Sequence, residues 1–143
     1  QPCARVEISP VHADADGHLD IAWLTGRADG SDRQLSILWN DGAGALSAEQ
    51  RSVVSDRAAS PQAFALLPGN VARGAGLVYA TASGLERVAI AADTRELGPA
   101  EPLAPLVGCT GLTATDVNGD GAIDLVAAAR GNLHLFEASL EAL

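Results

Sequence analysis

The stretch Asp116-Val117-Asn118-Gly119-Asp120-Gly121-Ala122-Ile123-Asp124 puts oxygen-bearing side chains at its first, third, fifth and ninth positions. That spacing can wrap one cation, because alternate residues of a tightly coiled loop point to its inside. Gly121, at position six, permits the sharp turn, and the carbonyl of Ala122 can point inward at position seven. Three carboxylates, an amide oxygen, a carbonyl and water suit the roughly six to eight oxygens that Ca²⁺ takes, whereas Mg²⁺ resists so much dehydration. The first half also matches an EF-hand loop, but that loop needs a bidentate Glu at its twelfth position and a helix on either side. Position twelve is Ala127, and Gly108, Gly111 and several Thr upstream make a poor helix.

An earlier stretch has the same grammar. When Asp20 is laid on Asp124, Asp16 falls on Asp120, Asp14 on Asn118, His18 on Ala122 and Gly17 on Gly121, at an offset of 104 residues. Its first position is His12 rather than Asp, and a neutral imidazole is a poor ligand for a hard cation. Asp14, Asp16, His18 and Asp20 therefore form a weaker candidate set, for which the reading is weak Ca²⁺ binding or carboxylates hydrogen-bonded to loop amides.

The elements that must hold these loops follow from alternation and turn residues. Two apolar runs, Leu19 to Leu24 and Leu35 to Trp39, flank a Gly/Asp/Ser cluster and read as a β-hairpin. The second run ends in Asn40-Asp41-Gly42-Ala43-Gly44, a reversal leading to a third strand around Leu46 to Val54. Ile123 to Phe136 repeats the hairpin with a turn at Arg130-Gly131-Asn132, and Leu77 to Ala91 supplies a middle copy with a turn at Ala82-Ser83-Gly84. The middle copy lacks the acidic loop: Pro68, Asn70, Ala72 and Gly76 stand where the carboxylates would be. The offset is about two repeats of roughly 40 to 50 residues, so the chain reads as one all-β, repeat-built domain over 1–143, with units at about 12–56, 66–95 and 112–143. Pro99, Pro102 and Pro105 discourage a helix before the last copy, while the tail from Glu137 to Leu143 can form a helical turn.

DVNGDGAIDLVAA with its hairpin, DADGHLDIAWL, and the strand-end turn of ILWNDGAGAL together resemble the FG-GAP and VCBS repeats, the blades of integrin-α-like β-propellers. The resemblance implies antiparallel blades of an incomplete propeller, about three in number. Asp116, Asn118, Asp120 and Asp124 would then be Ca²⁺ ligands, with Ala122 adding its carbonyl. It further implies a scaffold for adhesion or ligand recognition that is secreted or on the cell surface, in extracellular or periplasmic surroundings. The remaining blades, or another chain, would be its partners. A carbohydrate-binding propeller, or the propeller portion of a polysaccharide-degrading enzyme, is the alternative.

Composition bounds the other classes. The formal net charge is −9, and all nine basic residues are Arg, so a nucleic-acid backbone would be repelled. The acidic excess serves either a cation site or plain solubility. No apolar run reaches the roughly 20 residues of a membrane span. The chain begins at Gln1, as expected of a processed protein or a piece of a longer one. Cys3 and Cys109 have no metal-ligand spacing and are either a long-range disulfide or two small buried residues. His12, His18 and His134 have no Ser or Cys partner in a nucleophile motif, so no catalytic residue is assigned; His134, between Leu133 and Leu135, reads as the outward residue of a strand. Trp23 and Trp39 read as packing residues between strands or blades.

Overall fold

The computed structural model describes residues 5–27, 29, 31–44, 46–55, 59–68 and 75–137. Among the described residues eleven β-strands form three antiparallel sheets, with no α-helix and only a short 3-10 turn at Ala48–Gln50. The first sheet takes β1 (Arg5–Val11), β2 (Asp20–Gly26), β3 (Gln34–Leu38) and β4 (Arg51–Ser55) in that order. The middle sheet takes β5 (Phe64–Leu67), β6 (Gly76–Ala80), β7 (Leu85–Ile90) and β8 (Leu97–Ala104); the last takes β9 (Cys109–Thr115), β10 (Asp124–Ala129) and β11 (Asn132–Phe136). The all-β expectation holds, and the three expected hairpins are β2–β3, β6–β7 and β10–β11. Each sheet also contains a strand ahead of its hairpin, and the proline-bearing segment forms the edge strand β8, with register shifts opposite it in β7. An edge is where a strand tolerates residues without an amide N–H.

The sheets stack. Side chains alternate between the two faces of a strand, and in the middle sheet both faces are apolar. Phe64, Leu77, Tyr79, Val88 and Ile90 pack on Ala22, Leu24, Leu35 and Ile37 of the first sheet. Ala65, Leu67, Val78, Ala80 and Leu85 pack on Leu125, Ala127 and Ala129 of the last. This double coverage explains why all five residues of β6 are buried, where a sheet covered on one side would bury alternate ones. The second interface is built largely from alanine, which lets the backbones approach closely. Cys109 is buried in that interface, donates its thiol hydrogen to the Gly111 carbonyl at 3.3 Å, and has its pKa raised by burial. It behaves as a small core residue; Cys3 lies outside the described residues, as do Asn70, Ala72 and 138–143 of the tail.

One orientation differs from the sequence reading. His134 pairs with Ala127 and so shares the face turned to the middle sheet, while Leu133 and Leu135 face outward and are 77% and 46% exposed. Alternation identifies two faces of a strand; which one is covered depends on where the neighbouring sheet lies.

The turns need particular backbones. Gly84 has φ +147°, and a Cβ there would stand 2.4 Å from the Ala104 carbonyl oxygen, so the β6–β7 turn takes glycine for reasons of both conformation and space.

Candidate functional site

Both acidic loops join the first strand of a sheet to its second: 12–19 links β1 to β2, and 116–123 links β9 to β10. Their internal hydrogen bonds match position by position. Asp20 Oδ2 accepts the Ala13 N–H at 3.1 Å, and Asp124 Oδ2 accepts the Val117 N–H at 3.0 Å. Asp14 and Asn118 accept the N–H two residues on, as do Asp16 and Asp120. Gly17 and Gly121, at the same loop position, have φ +84° and +86°. The two loops thus share one internal hydrogen-bond pattern, position by position.

In the later loop the first-position carboxylate closes the turn: Asp116 Oδ1 accepts the Gly119 N–H at 2.7 Å and Oδ2 accepts the Gly121 N–H at 2.9 Å. Asn118 Nδ2 donates to Asp120 Oδ2 at 3.0 Å, and Asp124 is fully buried. The donors are all hard oxygens, and an oxygen that accepts one N–H retains a further lone pair, so the chemistry of the set fits a hard cation. Its side chains are, however, turned onto loop amides. Among the described residues no three His, Cys, Asp or Glu side chains gather as a metal-binding group. Nor do Asp116 and Asp120 take part in an ion pair among those residues.

The earlier loop already holds a cation. Arg95, in the turn between β7 and β8 of the middle sheet, donates from Nε to Asp14 Oδ2 at 2.6 Å and from Nη2 to Asp16 Oδ2 at 2.9 Å. The Asp14 side chain is 2% exposed and that of Arg95 30%. The guanidinium also lies 5.7 Å from the centre of the Trp39 ring. Arg95 has φ +59°, an unfavourable conformation for a non-glycine residue, and the ion pairs offset its cost. The fork of Arg95 thus spans two of the carboxylates that the sequence assigns to metal, and it joins two sheets in doing so.

His12 and His18 take other places. His12 is exposed and stands at the rim of a groove, while the His18 ring lies against Gly42, where an added Cβ would come within 2.3 Å of it. The Asn40–Gly44 turn closes over the loop through Asn40, whose N–H donates to Asp20 Oδ1 at 2.9 Å and whose side-chain amide donates to the Leu19 carbonyl at 3.1 Å. At the other end of the same two sheets, Arg33 Nη1 donates to the carbonyl and side-chain oxygens of Gln62 at 3.1 and 2.7 Å. Arg95 and Arg33 carried no sequence signal, because their partners are remote in the chain.

No family model, curated protein or solved structure matches this chain.

All three sheets contribute to the groove. Their first strands, β1, β5 and β9, line a cavity of about 510 Å³, with Glu7, His12, Phe64, Leu66, Leu112 and Thr113 on its walls.

Electrostatics separate the acidic residues. The His18 N–H chiefly, with smaller help from Asp14, His18 and Arg95, holds the Asp16 carboxyl below its ordinary pKa. Burial pushes Asp20 above its ordinary value of 3.8, against the pull of the Asn40 and Ala13 amides. A carboxyl with a raised folded-state pKa favours folding while protonated, so its contribution is full below 3.8 and is lost as pH rises through the folded value. Asp20→Asn cannot titrate. Chemical unfolding measured across that acid range should show wild type losing stability relative to Asp20→Asn as pH increases, and a constant difference would mean that Asp20 does not carry the shift.

Proposed function

We propose that this chain is a non-catalytic, Ca²⁺-stabilised propeller segment of the FG-GAP and VCBS kind, a scaffold for adhesion or ligand recognition outside the cytoplasm. The observation that carries the reading is the shared placement of the two acidic loops, each between the first and second strands of a sheet and each with the same amide-to-carboxylate pattern. Three stacked meanders whose first strands line one groove add to it, since propeller blades are small antiparallel sheets around a central channel. Asp116, Asn118, Asp120 and Asp124, with the Ala122 carbonyl, would hold the ion, which would supply charge neutralisation to a loop with three carboxylates. The loop at 12–20 is assigned to Arg95 instead. There the guanidinium supplies the positive charge and the inter-sheet tie.

For an extracellular-type site with a dissociation constant of roughly 0.1 to 1 mM, about 1 mM free Ca²⁺ should add on the order of 0.4 to 1.4 kcal/mol by linkage. Thermal melting titrated with Ca²⁺ tests this. Asp120→Ala should lose most of the Ca²⁺-dependent shift, whereas His12→Ala should keep it. Equal shifts in wild type and Asp120→Ala would leave loop 116–124 as a hydrogen-bonded turn with no metal role.

A further inference from the structure

The pairing registers make the sheets superimposable residue by residue. Laying Asp124 on Asp20 places Leu133 on Leu35 and Leu135 on Ile37, because each pairs with the equivalent residue of its neighbouring strand. The middle sheet follows the same register, with Leu85 at the position of Leu35. Leu35 and Leu85 are 0% and 1% exposed because each is covered by the next sheet in the chain, yet Leu133 is 77% exposed. On the opposite side Ile8 corresponds to Leu112, which packs against the middle sheet, but Ile8 itself is 63% exposed. The outward face of the last sheet thus repeats the face that the first sheet buries, and the outward face of the first sheet repeats the one that the last sheet buries.

We infer that a second copy of this chain docks head to tail, the last sheet of each copy on the first sheet of the other, to close a ring of six sheets. This rests on the blade reading above but not on its metal. The chain carries both faces of a sheet-on-sheet contact that it makes twice internally, with Trp23 and Thr25 standing where the last sheet has Ala127 and Ala129, so a second copy supplies a complement in the same register. Contacts between unlike faces form closed rings when the rotation closes. The convergence of β1, β5 and β9 on one groove gives the stack a direction of curvature, and six falls within the roughly four to eight blades of closed propellers.

Sedimentation and light scattering of the chain should give twice its mass of 14.5 kDa. Ile8→Arg and Leu133→Asp, each on one exposed face, should separately weaken self-association about tenfold or more while keeping the β-type circular dichroism spectrum. Their equimolar mixture should recover a two-chain species, since one unlike-face contact is then intact. A folded wild-type monomer would overturn the inference, as would an open-ended polymer, a variant that still dimerises alone, or a mixture that stays monomeric. Ca²⁺ titration of the monomeric variants reads the metal loop independently, so failure of the ring and failure of the proposed function are told apart.

Discussion

Arg95→Gly is expected to lower the unfolding free energy by about 2 to 3 kcal/mol. Glycine accepts the positive φ of this position, so the substitution removes the guanidinium without adding backbone strain, and the loss reports the contacts less the strain that Arg95 itself carries. Asp14 is the residue that suffers. Its side chain is nearly inaccessible to water, so without Arg95 it is a buried carboxylate beside Asp16 and Asp20 with no ion-pair partner among the described residues. The partial exposure of Arg95 keeps the figure below what a fully buried pair would give. Asp14→Ala should recover part of the loss in the Arg95→Gly background. A double-mutant cycle in urea with a coupling energy near zero would show that the bridge between loop and turn adds nothing. Ca²⁺ offers a second readout: it should raise the melting temperature of Arg95→Gly more than that of wild type, because the earlier loop then lacks its built-in cation.

Tyr79→Ala is expected to cost about 3 to 5 kcal/mol, a large part of the roughly 5 to 15 kcal/mol by which such domains are stable. Tyr79 is 1% exposed at the centre of the middle sheet and fills the interface with the first sheet beside Phe64, Leu77 and Val88. Its hydroxyl donates to Glu86 Oε2 at 2.9 Å across the β6–β7 pair. Tyr79→Phe keeps the ring and removes that hydrogen bond, so it should cost only about 1 kcal/mol. The comparison separates packing from polarity. If equilibrium unfolding shows the two variants losing equal amounts, the stabilisation lies in the hydroxyl and the stacked-sheet account of the core is wrong.

The hairpins were legible because their information is local. Alternating apolar residues set the strand period, and the residues of turns such as Ala82-Ser83-Gly84 mark the reversals. The loops were legible for the same reason, since residue type and spacing within nine positions determine which amides the carboxylates meet. The leading strands were harder to see: β5 has only four residues, β1 contains Pro10, and β9 carries three Thr and a Gly among its seven residues. β8 holds two prolines and is extended because it pairs with β7 at an edge, which no local pattern announces. The Arg95 contact was the least accessible. Asp14 lies 81 residues away in sequence, and the two meet only because the middle sheet stacks on the first.

The order of strands has a kinetic consequence. In every sheet each strand pairs with its predecessor in the chain, so the pairings close short loops. The shortest is Arg130-Gly131, where both residues take positive φ, the backbone of a two-residue hairpin turn. Short closures lower contact order, and a meander should therefore form faster than a sheet of equal size that must recruit distant strands. Each outer sheet waits on one neighbour within the chain, the middle sheet on two: with β6 buried on both sides, an early-formed middle sheet offers two sticky surfaces until its neighbours arrive. Slow docking of either outer sheet, in the cell or in refolding, would leave Gly76–Ala80 as the segment from which aggregation starts.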